Sequence, residues 1–151
     1  MVLPVDILLV EDNRSDLDLA LHSLRQYGLS NNIHTCRDGE QAVQFILNLN
    51  GAHRSIGLVL LDLHLPKLSG FEVLATIRAN AQTRKIPVIV LTSSDDMPDI
   101  EESRKLGADH YMVKPIDFAK VVQVAKLLGF RWALLPNDAT EAESETAAEP
   151  S

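Results

Sequence analysis

Cysteine, basic residues and long hydrophobic runs are all scarce in this sequence, and each scarcity argues against a class of protein. The only cysteine, Cys36, cannot form a disulfide within the chain, which makes the cytoplasm the expected compartment. No apolar run approaches the roughly 20 residues that cross a bilayer. The N-terminus also lacks the basic start and the cleavage signal of a secretory peptide. We therefore expect neither a membrane segment nor secretion.

The charge of the chain is negative and unevenly distributed. There are 21 acidic and 14 basic residues among 151, which gives a net charge of −7. Residues 137–151 contain five acidic residues and no Lys or Arg, and they are rich in Ala, Ser and Thr. This composition predicts a disordered acidic tail. The rest of the chain is only mildly acidic and has no basic stripe, so we expect no nucleic-acid partner.

The hydrophobic pattern predicts an α/β domain. Hydrophobic residues make up 46% of the chain, and apolar runs that suit buried strands alternate with stretches whose apolar residues recur at helical spacing. The predicted strands are residues 5–10, 33–37, 57–62, 87–92 and 109–113. The predicted helices lie around residues 17–27, 42–49, 70–81, 97–106 and 118–128. Five such units predict a flavodoxin-like, doubly wound parallel sheet with strand order 2-1-3-4-5.

Residues 129–136 join this domain to the acidic tail and are too apolar for a solvated linker. Two interpretations stay open. The segment extends the last helix and packs on the domain, or it forms, with that helix, the interface of a homodimer or another partner. In either case it is grouped with the domain, which we place at residues 1–136.

Three carboxylates follow two of the apolar runs. Residues 5–10 run into Glu11 and Asp12, and residues 56–61 run into Asp62. The carboxyl ends of parallel strands share one edge of a sheet, where ligands of such sheets bind. If the two strands are neighbours, the three acids crowd together and repel one another, so a divalent cation is their natural partner. Oxygen ligands favour Mg²⁺.

Two further strands end in polar residues, Thr92 and Lys114, which the predicted topology places on the same edge. An Asp can act as the nucleophile toward a phosphoryl group. The transfer mainly requires positioning and neutralisation of oxygen charge. Mg²⁺ would bind one phosphoryl oxygen, Lys114 would neutralise a second, and the Thr92 hydroxyl would donate to a third. This set predicts that Asp62 accepts a phosphoryl group.

Four stretches together resemble the receiver domain of bacterial two-component response regulators, the CheY-like superfamily. They are residues 7–13, 61–70, 91–93 and 111–115, and the resemblance extends over roughly residues 5–128. It implies that a histidine kinase or a phosphotransfer protein phosphorylates Asp62, and that the chain is not an enzyme beyond its own phosphorylation and dephosphorylation. It further implies that Glu11, Asp12, Asp62 and the backbone carbonyl of His64 hold Mg²⁺. Thr92 and Tyr111 would act as a conformational switch, and the Lys114–Pro115 bond would be cis.

The long loop at residues 50–55 and the segment around Trp132 narrow this resemblance to the stand-alone regulators that partner bacterial phytochromes. After the fifth helix only about 20 residues remain, which is too few for a helix-turn-helix output domain. The expected output is therefore phosphorylation-dependent contact with other proteins.

Two other functions are alternatives to this one. The first is a Mg²⁺-dependent phosphatase with an Asp nucleophile, comparable to haloacid-dehalogenase-like enzymes. Those enzymes carry a second Asp two residues after the nucleophile, whereas this chain has His64 there. The second is an unphosphorylated scaffold, against which the intact set of strand-end residues argues.

Overall fold

Strands and helices alternate along the part of the chain that the computed structural model describes, residues 6–49 and 56–130. The strands are β1 (Asp6–Val10), β2 (Ile33–Cys36), β3 (Ile56–Leu61), β4 (Val88–Thr92) and β5 (His110–Val113). The helices are α1 (Arg14–Gln26), α2 (Gly39–Leu47), α3 (Gly70–Ala79), α4 (Met97–Lys105) and α5 (Phe118–Leu127). The strand bounds lie within one residue of the prediction. The helices predicted at 70–81 and 97–106 end two residues and one residue early.

All strand pairs are parallel, and the sheet has the predicted order β2-β1-β3-β4-β5. The flavodoxin-like fold class is therefore confirmed. Val10 of β1 lies opposite Leu61 of β3, so the residues that follow these two strands emerge side by side. The loop at 50–55, the segment after Phe130 and the acidic tail lie outside the described residues, and the predictions for them stay predictions.

Helices cover both faces of the sheet because successive residues of a strand point to opposite sides. Ile7 and Leu9 of β1 pack with residues of α1 and α5, whereas Leu8 and Val10 pack with residues of α2 and α3. The central strand β3 is buried almost throughout, which explains its uninterrupted apolar sequence. Phe130, just beyond α5, is also buried in the core on the α1 and α5 side. No helix within residues 6–49 and 56–130 has the length and apolar character needed to cross a bilayer.

Each helix begins at a side chain that accepts a hydrogen bond from a backbone N–H in the first turn. The five capping residues are Asn13, Asp38, Ser69, Asp96 and Asp117. Such caps satisfy N–H groups that have no partner within the helix. Because Asn13 caps α1, the chain turns into a helix immediately after Glu11 and Asp12. These two acids therefore stay at the carboxyl edge of the sheet.

Gly39, the first residue of α2, packs against the loop that follows β3. A Cβ atom at this position would lie 1.9 Å from the carbonyl oxygen of Leu68. Replacing Gly39 with Ala must push α2 away from that loop, and we expect the free energy of unfolding to fall by about 2–3 kcal/mol. Urea unfolding followed by circular dichroism measures the change. Glu40→Ala, at the exposed neighbouring position, is the control and should change stability by less than about 0.5 kcal/mol. An equally small effect of Gly39→Ala would contradict the close contact.

Candidate functional site

The carboxyl edge of the sheet brings together the side chains singled out in the sequence. The backbone N–H of Asp62 donates to Val10 (3.0 Å), and that of Lys114 donates to Thr92 (2.8 Å). These bonds extend the ladders of β1–β3 and β4–β5 by one step, so the backbones of Asp62 and Lys114 are paired like those of strand residues. The Lys114–Pro115 peptide bond that follows is cis, as predicted.

Glu11, Asp12 and Asp62 form an acidic cluster at this edge. One carboxylate oxygen from each lies within 4.8 Å of the other two. Glu11 and Asp62 are buried, and Asp12 is partly exposed. Burial raises the pKa of Glu11 to about 7, although hydrogen bonds from Lys114 and from the backbone N–H of Asn13 oppose the shift. Three convergent carboxylates, two of them buried, suit a hard divalent cation such as Mg²⁺. A bound cation would also favour the ionised form of Glu11.

Lys114 is the cationic partner of this cluster. Its Nζ donates to Glu11 Oε1 at 2.7 Å and lies 3.3 Å from Asp62 Oδ2. It also donates to Asp16 Oδ2 at 2.8 Å. Burial alone would lower the pKa of Lys114, but the bonds to Asp16 and Glu11 and the charge of Asp62 outweigh that effect and raise it. The ammonium group is therefore charged at neutral pH, close to the oxygen atoms of Asp62.

The contact of Asp16 with Lys114 was not predicted from the sequence. Asp16 lies in the first turn of α1, where an acid is commonly explained by its favourable position near the positive end of the helix dipole. That explanation is sufficient by itself, so the residue carries no sequence signal for the site. Only the tertiary structure, in which Lys114 after β5 reaches the first turn of α1, shows that Asp16 shares Lys114 with Glu11.

Thr92 and Tyr111, the two predicted switch residues, are joined through Ser94. Thr92 is fully buried, and its Oγ1 accepts from the backbone N–H of Ser94 at 3.4 Å. The hydroxyl of Tyr111 donates to the carbonyl oxygen of Ser94 at 2.7 Å. Desolvation raises the pKa of Tyr111, so the phenol keeps its proton and stays a donor. The role of Ser94 was not predicted from the sequence, because it is one of several polar residues that follow β4.

His64 lies two residues after Asp62, and its backbone N–H is 3.3 Å from Asp62 Oδ1. Its ring Nε2 lies 3.3 Å from Asp99 Oδ2, in the first turn of α4. The side chain thus reaches from the loop after β3 toward α4. The predicted use of the His64 carbonyl as a metal ligand stays a prediction.

Gly70 packs closely against the backbone of Asp62. It is the first residue of α3, and a Cβ atom there would lie 2.2 Å from the carbonyl oxygen of Asp62. The N–H of Gly70 also donates to the carbonyl of Leu63 at 2.7 Å. The loop between β3 and α3 therefore returns tightly against the residues that begin it, which limits the movement of the Asp62 backbone.

Comparison with known proteins identifies relatives of the whole described domain. The family model of the response regulator receiver domain matches residues 7–126. Response regulator Rcp1 from Synechocystis sp. is 36% identical over 138 residues, which are 88% of this chain and 94% of Rcp1. Its Mn²⁺-bound crystal structure has a TM-score of 0.69 at 34% identity and covers 83% of this chain and 91% of that one.

Two further solved structures are similar over most of their length. The bacteriophytochrome response regulator RtBRR has a TM-score of 0.76 at 40% identity, with 88% of this chain and 82% of that chain covered. The phosphorylated cyanobacterial phytochrome response regulator RcpA has a TM-score of 0.72 at 33% identity, with 83% and 91% covered.

Proposed function

Because this chain belongs to the response regulator receiver domain family, we propose that Asp62 accepts a phosphoryl group from a histidine kinase or a phosphotransfer protein. One observation carries the proposal: Asp62 belongs to an acidic cluster that suits a divalent cation, and it also lies 3.3 Å from an ammonium group that suits a phosphoryl oxygen. The relatives support it, because RcpA has been solved in a phosphorylated form and Rcp1 in a Mn²⁺-bound form. The family match does not support the alternative of a Mg²⁺-dependent phosphatase.

The proposed transfer requires little covalent help from the protein. An oxygen of the Asp62 carboxylate bonds to phosphorus while the phosphorus–nitrogen bond of the donor's phosphohistidine breaks. The histidine nitrogen keeps the electron pair and takes up a proton. Glu11, Asp12, Asp62 and the His64 carbonyl would hold Mg²⁺, which supplies positive charge to one phosphoryl oxygen. Lys114 neutralises a second oxygen as a compact charge, and the Thr92 hydroxyl donates to a third.

The same residues connect phosphorylation to a change of surface. When Thr92 Oγ1 donates to the phosphoryl group, it moves away from the Ser94 N–H that it now accepts from. Ser94 also holds Tyr111 through its carbonyl, so a shift of Ser94 is transmitted to Tyr111 and to the surface around α4 and β5. Proteins that bind this surface would then distinguish the two states.

The upstream partner that we propose is a phytochrome-type histidine kinase, since RtBRR and RcpA are both phytochrome response regulators. A homodimer through α5 and residues 129–136 stays a prediction, as does the cytoplasmic location.

Incubation with acetyl phosphate and Mg²⁺ tests the proposed function. We expect the intact mass to rise by one phosphoryl group per chain, and peptide mapping to place that group on Asp62. A chelator should prevent the increase. Rapid turnover of p-nitrophenyl phosphate without stable labelling would favour the phosphatase, and the absence of any labelling would exclude the proposal.

The metal site can be tested without phosphorylation. Asp12→Asn removes one carboxylate of the acidic cluster, and we expect the affinity for Mg²⁺ or Mn²⁺ to fall at least about tenfold, which corresponds to about 1.4 kcal/mol. Isothermal titration calorimetry measures the affinity. Asp18→Asn is the matched control, because Asp18 is an exposed acid on α1 that pairs only weakly with Arg14 at 3.6 Å. Equal affinities of the two variants would argue against Asp12 as a ligand.

A further inference from the structure

One carboxylate oxygen, Asp99 Oδ2, connects two loops at the carboxyl edge of the sheet. It accepts a hydrogen bond from the hydroxyl of Ser94 at 2.6 Å. The same oxygen lies 3.3 Å from the ring Nε2 of His64. His64 belongs to the loop after β3 and Ser94 to the loop after β4, whereas Asp99 lies in the first turn of α4. The three side chains therefore form a bridge between the two loops, here called the Asp99 bridge.

The two ends of the Asp99 bridge, His64 and Ser94, are hydrogen-bonded to Asp62 and Thr92 of the proposed site. The backbone N–H of His64 is 3.3 Å from Asp62 Oδ1. The backbone N–H of Ser94 donates to Thr92 Oγ1. The imidazole of His64 thus extends from the Asp62 side of the edge to the Thr92 side. The side chain of His64 is 57% exposed and that of Asp99 is 21% exposed, so the bridge lies on the solvent-facing side of the site, here called its mouth.

Asp99 is better held than His64 and therefore determines where the ring lies. Its carboxylate is fixed by the short bond from Ser94, and it lies in the first turn of α4, whose backbone holds it in place. An exposed imidazole without such an anchor would sample several rotamers. The contact with Asp99 restricts it to the one that reaches across the opening.

We propose that Asp99 is a positioning residue that holds His64 across the mouth of the site and thereby slows hydrolysis of phosphorylated Asp62. The inference rests on the proposed function. In hydrolysis a water oxygen bonds to phosphorus while the bond between phosphorus and the Asp62 oxygen breaks. The products are the Asp62 carboxylate and inorganic phosphate, and the proton lost by water passes to solvent. The water must approach from the open side of the phosphoryl group, and the ring that Asp99 holds narrows that side.

The decay of the phosphorylated protein tests this role. Wild type and variants are loaded with acetyl phosphate and Mg²⁺, the donor is removed, and the phosphorylated fraction is followed by intact mass. We expect Asp99→Ala to lose its phosphoryl group at least about fivefold faster than wild type. Asp99→Asn, which has nearly the same shape but no charge, should also decay faster. Glu102→Gln removes the same charge from an exposed position of α4 and should decay at the wild-type rate.

A double variant separates positioning from a general loosening of α4. If Asp99 acts through His64, then His64→Ala/Asp99→Ala decays at the rate of His64→Ala alone. An Asp99→Ala effect that persists undiminished without His64, or an Asp99→Ala variant that decays like wild type, would overturn the inference while leaving Asp62 as the acceptor. Failure of wild type to load would instead overturn the proposed function on which it rests.

Discussion

Replacing Asp62 with Asn is expected to abolish labelling by acetyl phosphate, because an amide oxygen is too weak a nucleophile to replace the carboxylate. The substitution keeps the size of the side chain, so the surrounding contacts are disturbed as little as any change there allows. It also removes one of three crowded negative charges in the acidic cluster. We therefore expect the variant to be at least as stable as wild type in urea unfolding, which would show that the loss of labelling is chemical.

The matched control for Asp62→Asn is Asp16→Asn. Asp16 also accepts a hydrogen bond from Lys114, at 2.8 Å, but it is not one of the three residues of the acidic cluster. We expect Asp16→Asn to be labelled in the same intact-mass assay. Labelling that survives in Asp62→Asn would show that another residue is the acceptor.

Replacing Lys114 with Met should separate phosphoryl transfer from metal binding. The Lys114 ammonium is the cation that we assign to a phosphoryl oxygen, and removing one such electrostatic partner typically slows a reaction on the order of 10²-fold. The same ammonium now contacts Glu11 and Asp62, so it competes electrostatically with a bound cation. We expect the rate of labelling to fall by that factor while the affinity for Mg²⁺ rises.

The two measurements for Lys114→Met are the rate of acetyl phosphate labelling and the Mg²⁺ affinity by calorimetry. Lys120→Met, at an exposed position of α5, is the control and should change neither. An unchanged labelling rate would remove Lys114 from the transfer step. A lower Mg²⁺ affinity would mean that Lys114 supports the metal site and does not compete with it.

The location of the site could be predicted because strand ends are visible in a sequence. A buried parallel strand is apolar on both faces, so an acid, hydroxyl or lysine directly after it marks the point where the chain reaches solvent. Asp62, Thr92 and Lys114 all follow or end such runs, and the structure places each at the carboxyl edge of the sheet. The order of the strands was needed as well, because only neighbouring β1 and β3 bring Glu11 to Asp62.

Asp16, Ser94 and Asp99 could not be predicted in the same way. Asp16 and Asp99 are acids in the first turns of helices, where they are common because of the helix dipole. Ser94 is a polar residue in a loop, which needs no special explanation either. What distinguishes them is the packing of α1 and α4 on the sheet, which brings Asp16 to Lys114 and Asp99 to both Ser94 and His64.

The glycines also include one feature that the sequence indicates and others that only the structure shows. The dipeptide Asp38-Gly39 indicates a turn from its sequence alone, and the structure shows that Asp38 caps α2. Gly39 packs closely against Leu68, which is distant in the sequence, and Gly70 packs against Asp62 because the loop between them folds back. No local sequence pattern encodes either contact.

The sequence by itself predicted the fold class and the five strand-end residues of the site, because hydrophobic periodicity and strand ends are local properties of the chain. The strand order was a hypothesis from general topology rules, and the structure confirms it. Only the tertiary structure decided that Lys114 is shared among Glu11, Asp16 and Asp62, and that Asp99 connects His64 to Ser94. These partners come from separate elements. Their distances depend on how the helices pack against the sheet, and that packing is decided by the whole core at once.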